Sequence, residues 1–469
     1  MWKNFIALSI ILILSACNAT GYSANPWKNN ANGSAAAAPP KPLTGETSAE
    51  GKYDHVIRNG GVLENSDGSV DMAGLEYTPN DQGAPYQQQS PYNNTAMDTA
   101  IAPVKVALLV PLSGPHKDLG QAFLQASQMA MFDMDFPAIE IMPRDTGGDA
   151  KMARAAAESA INDGAELILG PLFAHSVKAV KPIARRSNIN MISFSTDWSL
   201  AGGNTYIMGF LPFAQVQRVA EYALANNYNN IGILAPNTDY GNAVISAYNS
   251  LTYRAGVPRA EIAKFSGDDN QISDTIRRFT NYESRFAAAE EGQKPVIPFD
   301  AILMPVGGDQ ARSIASLLSY YDLDEKTVKR LGTGLWDDSG LAAEKSLNYS
   351  WFAAPSPDTR RDFESRFRQL YGFSAPRLAT LSYDATALAI VLARKGYQEG
   401  LLQSASYGRE SIFAHSQISN ANGFSGVDGI FRFRPDSLVE RGLAVLEIKD
   451  GSIRVIDPAP TTFQRRSDY

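Results

Sequence analysis

The chain has 469 residues, 49 acidic against 42 basic side chains, a net charge of −7 and one cysteine. That length is enough for two buried cores, and an acidic balance without a sustained basic run argues against nucleic acid as a partner. A lone cysteine means that no disulfide holds the fold together.

Residues 1–16 carry Lys3, an apolar run from Phe5 to Leu14, and then Leu14-Ser15-Ala16-Cys17. This is the layout of a secretory signal peptide, with an apolar region too short to span a bilayer. From Asn18 to about Ala102 the composition shifts to Ala, Pro, Gly, Gln, Asn and Ser with few aliphatic clusters. Such a segment buries too little apolar surface to offset its ordering entropy, so residues 17–102 are expected to form a disordered tether. As a coil it would span roughly 50 Å, and fully drawn out up to about 280 Å.

The part from Pro103 to Pro458 alternates apolar runs with helical spacing. Lys105 to Val110 is a buried-strand run, followed by a helix with Leu119, Ala122, Phe123, Ala126, Met129 and Ala130 on one face. Strand Ile139 to Met142 then leads to a helix from Asp149 to Asp163, stopped by Gly164. Asp145 and Asp149 are a strand-end residue and a helix N-cap rather than a catalytic pair. Within Glu166–Asp197, an apolar run (Leu167 to Leu169) breaks at Gly170-Pro171, a helix starts near His175-Ser176, and a second run (Met191, Ile192) ends in Ser193, Ser195 and Thr196. In a parallel sheet both loops lie at the carboxyl ends of the strands, where open α/β sheets bind ligands.

The unit recurs as strand Ile231 to Leu234 with helix Asn242 to Ala255, and strand Glu261 to Phe265 with helix Gln271 to Ala288. Next come strand Ala301 to Met304 with helix Asp309 to Tyr321, and strand Arg330-Leu331 before a loop from Gly332 to Gly340. A helix from Ala379 to Lys395 follows, and then paired strands, Gly429 to Arg434 and Ala444 to Lys449, with Gly451 at a turn. Repeated β–α alternation predicts parallel sheets with right-handed crossovers.

Catalytic patterns are absent from the sequence. His55, His116, His175 and His415 are scattered without metal-ligand spacing, and Gly423-Phe-Ser425-Gly lacks the full nucleophile-elbow pattern, which makes Ser425 a turn residue. Arg360-Arg361 and Arg465-Arg466 read as solvated surface pairs. No enzyme activity, no metal and no cofactor are expected.

On these residues the chain resembles the type I periplasmic binding-protein superfamily, in its leucine/isoleucine/valine-binding branch. The landmarks are Val106-Ala-Leu-Leu-Val-Pro-Leu-Ser-Gly114, Leu169-Gly-Pro-Leu172, Ile192-Ser193 with Ser195-Thr196, Asp239-Tyr-Gly241, Ser382-Tyr-Asp-Ala385 and Gly423 to Phe433. The resemblance implies an α/β fold of two Rossmann-like lobes joined by three crossovers around a cleft. With crossovers near Leu211, Pro355 and Val427, lobe 1 comprises 103–211 and 356–427, lobe 2 comprises 212–355 and 428–458, and 459–469 is a tail. Leu14 to Cys17 resembles the bacterial lipobox, which implies cleavage before Cys17, its lipidation and, with Asn18 rather than Asp following, anchoring at the periplasmic face of the outer membrane. Within the superfamily the chain is most similar to the penicillin-binding-protein activator lipoproteins, although a tether stands where their best-known member has an amino-terminal helical-repeat domain.

The superfamily's amino-acid binders hold the ligand carboxylate with hydroxyls and backbone N–H groups of the two strand-end loops, and the ammonium with an acidic group of the facing lobe. By that resemblance Ser195 and Thr196 match the second loop and Tyr240 the facing lobe. On the first loop Ala174 or His175 falls where a serine is expected, with Ser176 as a candidate hydroxyl. Gly332-Thr-Gly-Leu-Trp336 stands where an aromatic and a glutamate are expected, which leaves Trp336 as a candidate cleft wall and Asp337 as a substitute acid. A half-recognised zwitterion loses several kcal/mol, so the resemblance favours a non-enzymatic regulator of a peptidoglycan synthase, a penicillin-binding protein at the inner membrane. The alternative is a branched-chain amino-acid receptor of an ABC transporter, and a peptide or amino acid in the cleft is compatible with either.

Overall fold

The computed structural model describes residues 102–255, 259–267, 269–289, 295–402 and 412–463. The signal peptide, Cys17, His55, almost all of the tether, Arg465-Arg466 and the end of the tail lie outside the described residues.

The first lobe is built on five parallel strands, β1 (Val104–Val110), β2 (Ile139–Asp145), β3 (Leu167–Leu169), β4 (Asn190–Ser193) and β5 (Thr205–Ile207), in the order β2-β1-β3-β4-β5. Helices α1 (Lys117–Met134), α2 (Ala150–Asn162) and α3 (Ala174–Arg186) make the crossovers. Strands buried on both faces must be apolar throughout, which is why β1 and β3 read as continuous Val/Leu/Ile runs. Asp149 caps α2 by accepting from the N–H groups of Lys151 at 2.8 Å and Met152 at 3.0 Å.

The second lobe runs α4 (Pro212–Ala225), β6 (Ile231–Pro236), α5 (Asp239–Ala255), β7 (Glu261–Phe265), α6 (Asp269–Phe279), α7 (Tyr282–Ala288), β8 (Ala301–Leu303), α8 (Gly308–Tyr320), β9 (Lys329–Gly332) and β10 (Trp351–Ala354). The helix expected over Gln271 to Ala288 is two helices, because Asn281 takes a left-handed conformation with φ 50°, which asparagine tolerates better than most residues. The chain returns to the first lobe as α9 (Pro357–Tyr371) and α10 (Ala379–Gln398). The latter is apolar on nearly all sides because it is wedged between α1 and the first sheet.

The last strands correct the expected pairing. Strand β12 (Gly429–Phe433) does not pair with β14 (Ala444–Lys449); it forms a separate antiparallel sheet with β11 (Phe424–Gly426) and β13 (Val439–Arg441). Ser425 therefore lies in a strand, not in a turn. Strand β14 instead pairs antiparallel with β10 and, through the Asp450-Gly451 turn, with β15 (Ser452–Asp457), completing the order β15-β14-β10-β9-β8-β6-β7. Phe431, Phe433 and Val439 join the core of the first lobe, and Leu443 that of the second. The third crossover accordingly lies between Arg441 and Ala444 rather than near Val427, because the small sheet extends the first lobe and bridges to β5 through Ile207 and Leu438.

Candidate functional site

The carboxyl ends of the first lobe's strands carry a set of mutually tied loops. Asp145, at the end of β2, accepts from the N–H groups of Leu112 at 2.8 Å, Ser113 at 3.2 Å and Gly147 at 2.7 Å. Burial pushes its carboxyl up, but these bonds and the Ser113 hydroxyl outweigh it and hold the group below its ordinary range. Asp145 is thus an organiser of the loop after β1. After β3 the chain turns at Gly170 with φ +94°, where a Cβ would lie 2.3 Å from the Leu109 carbonyl oxygen, so only glycine fits.

The hydroxyls expected to converge there have different fates. Ser193 donates to the Pro171 carbonyl at 2.9 Å and joins the two loops. Ser195 is buried, and its hydroxyl oxygen accepts from the Asp197 N–H at 3.1 Å, so it holds the loop together. Thr196 is exposed. Ser176, the third residue of α3, is fully buried and its hydroxyl has no hydrogen-bond partner among the described residues, while the N-cap Phe173 supplies no side-chain bond to the helix end. At the rim, Phe173 stacks on His175 with ring centroids 5.7 Å apart and lies 4.7 Å from His116.

On the facing lobe, Tyr240 in the first turn of α5 shares a 2.9 Å hydrogen bond with Thr333, just beyond β9. Burial pushes its hydroxyl up to about 12 against the opposing Thr333 bond, so the phenol stays protonated near neutral pH. Two other expectations on this lobe are corrected. Trp336 is a core residue with no exposed surface; its indole N–H donates to the Val306 carbonyl at 2.7 Å and its ring lies edge-on to Phe352. Gly332 makes the space for it, since a Cβ there would lie 2.2 Å from the indole. Asp337 is no free ammonium partner either. Its two oxygens are held by Arg360 at 2.7 Å and Arg377 at 3.0 Å, with 4% of its side chain exposed.

That pair opens onto a buried charge network that sequence reasoning missed. Arg377 also meets Asp428 at 2.9 Å, and Thr380 donates to the same carboxylate at 2.7 Å. Asp384, inside α10, accepts from the Val427 N–H at 2.7 Å and faces Arg441 at 3.8 Å. The guanidinium groups of Arg377 and Arg441 lie 4.5 and 5.1 Å from the Phe210 ring centre. Arg360, expected on the surface, is buried, while its neighbour Arg361 is exposed and pairs with Asp358. The available signal was an aspartate inside an apolar helix, Asp384, with arginines close to the crossovers.

Burial and then the neighbouring Asp428 charge push Asp384 up to about 7, whereas the charges of Arg377 and Arg441 overcome burial and hold Asp428 below the usual range. Between its ordinary value of 3.8 and about 7, the folded chain therefore holds a proton on Asp384 that the unfolded chain has lost. This group's contribution to stability then falls as pH rises through that window. Asp384→Asn removes the titration, so the variant's stability relative to the unsubstituted chain is expected to improve from pH 5 to pH 8. A relative stability constant across denaturant melts at both pH values would refute the assignment.

Comparison with known proteins places the module. The periplasmic binding protein family matches residues 103–452. An uncharacterised protein of Rickettsia prowazekii is 20% identical over 225 residues, covering 48% of this chain and 59% of that protein. A penicillin-binding protein activator of Glaesserella parasuis, LpoA, is 29% identical over 153 residues, covering 30% of this chain and 24% of that protein. The chain therefore matches less than two thirds of the length of these curated relatives. A solved leucine binding protein of Thermotoga maritima shares the fold with a TM-score of 0.54 at 19% identity, covering 76% of this chain and 98% of that one.

Proposed function

The chain belongs to the periplasmic binding protein family, and from that premise we propose that it is a non-enzymatic envelope protein whose two-lobed module engages a penicillin-binding protein and regulates peptidoglycan synthesis. The observation that carries this reading is the state of Asp337. The acid that would meet a ligand ammonium is already held by Arg360 and Arg377, and an amino acid in the cleft would lack that counter-charge. Similarity to the LpoA activator supports the same reading. A lipid on Cys17, anchoring the protein at the periplasmic face of the outer membrane, is part of the proposal and rests on the Leu14-to-Cys17 motif.

The second reading is a branched-chain amino-acid receptor of an ABC transporter. It is favoured by the likeness to the leucine binding protein and by the unpartnered Ser176 hydroxyl at an uncapped helix start, where a carboxylate finds free N–H groups.

Two measurements separate them. Calorimetry on the full chain is expected to show no tight binding of leucine, isoleucine or valine; a Kd near 1 μM or below, about −8 kcal/mol, would establish the receptor reading. Added to a penicillin-binding protein of the same bacterium, the protein is expected to raise glycan-strand synthesis from lipid-linked precursor. No effect on any of that bacterium's synthases would overturn the first reading.

A further inference from the structure

We propose that the angle between the lobes is set by an ion-pair latch, in which Asp337 of the second lobe is clamped between Arg360 and Arg377 of the first, so that the cleft opens only when this carboxylate leaves both partners. This inference is independent of what the module binds.

Two-lobed proteins of this architecture can bend only where the chain passes between lobes, here at Leu211–Val216, Ala354–Pro357 and Arg441–Ala444, where the buried residues on either side belong to different cores. The charge network sits at these three places. Arg360 lies one turn into α9, just after the second crossover; Phe210 comes immediately before the first, and Arg441 ends the strand before the third.

Asp337 follows β9 and is next to Trp336, which belongs to the second lobe's core. Both arginines belong to the first lobe, because α9 packs on α1 through Phe363 and Phe367 and Arg377 leads into α10. The two oxygens of Asp337 therefore reach across the lobe boundary to two separate segments, so one rotation of the lobes would break both pairs together.

Breaking them would strand charge. The side chain of Asp337 is 4% exposed and that of Arg360 8%, and a buried carboxylate without its cations is strongly disfavoured. The cations are themselves fixed from behind. Arg360 is tied to Glu364 at 2.8 Å, and Arg377 is held by Asp428 and lies against Phe210. Arg441 donates to the Met208 carbonyl at 3.2 Å, so the segments leading into the first and third crossovers are also joined to each other. Phe213, in the first turn of α4, packs with Trp198 against the first lobe's core, the two rings edge-on with centroids 5.2 Å apart, so the first crossover also has an apolar anchor.

The test is a distance measurement by electron paramagnetic resonance on the full chain carrying Cys17→Ser, with spin labels at the exposed positions Lys151→Cys on α2 and Ser316→Cys on α8. The otherwise unsubstituted chain is expected to give one narrow distance distribution. Asp337→Asn keeps the shape but removes the charge, and should add a second distance population. Arg360→Gln leaves Asp337 its bond to Arg377 and should add a smaller one. Should Asp337→Asn fail to fold, Arg360→Gln and the width of the unsubstituted distribution decide by the same criterion. Two populations before any substitution at the latch, or an unchanged narrow distribution in folded variants, would overturn the latch.

Discussion

Replacing Trp336 with alanine is expected to destabilise the protein by about 3–5 kcal/mol, the range for deleting a large buried aromatic. The indole is wholly enclosed in the second lobe's core and packs over Gly332, where no side chain intervenes. Its removal leaves a cavity and strips the Val306 carbonyl of its 2.7 Å donor, so an unsatisfied buried acceptor adds to the lost contacts. Trp336→Phe should cost less, since it refills most of the space without the N–H. Denaturant melts of the two variants give the comparison. A melt of Trp336→Ala indistinguishable from that of the unsubstituted protein would mean that the indole lines the cleft instead.

The second large effect is expected at the membrane. On the proposal that Cys17 carries the lipid, Cys17→Ser leaves a hydroxyl where the thiolate is the acceptor of diacylglycerol, and membrane attachment should be lost. Stable anchoring needs more than one acyl chain, and no weaker determinant is expected to replace it. Envelope fractionation after a high-salt wash measures the result, and unchanged association of the variant with membranes would sink the lipoprotein proposal. The same fractionation of the unsubstituted protein bears on function. Recovery in the inner membrane would favour the transporter-receptor reading, because that is where an ABC transporter sits.

The α/β architecture was legible in the sequence because each of its cues is local. Strands buried on both faces show as apolar runs such as Val104–Val110, helices show as spaced apolar faces, and Asp149 caps α2 as its position suggested. Local cues also located the loops at the strand ends, including Ser193, Ser195 and Thr196. They could not determine which hydroxyl is spent on the fold. Ser195 is consumed by Asp197 and Tyr240 by Thr333, whereas Thr196 stays exposed and Ser176 is buried without a partner among the described residues.

Only the tertiary structure decided the rest, and the reason is separation along the chain. Asp337 meets Arg360 and Arg377 at separations of 23 and 40 residues, Arg377 meets Asp428 at 51, and no spacing rule connects such positions. Strand β12 and strand β14 read alike as sequence, yet one closes the first lobe and the other the second, because partner choice depends on which sheet edge lies open when the chain returns. Residue pattern alone thus determined most of the strongly periodic elements and the strand-end loops, while short strands such as Thr205–Ile207 and Trp351–Ala354 and the helices Pro212–Ala225 and Pro357–Tyr371 came only from the structure. The pairing of buried charges across the crossovers, and with it the loss of Asp337 as an ammonium partner, came from packing between segments that the sequence leaves far apart.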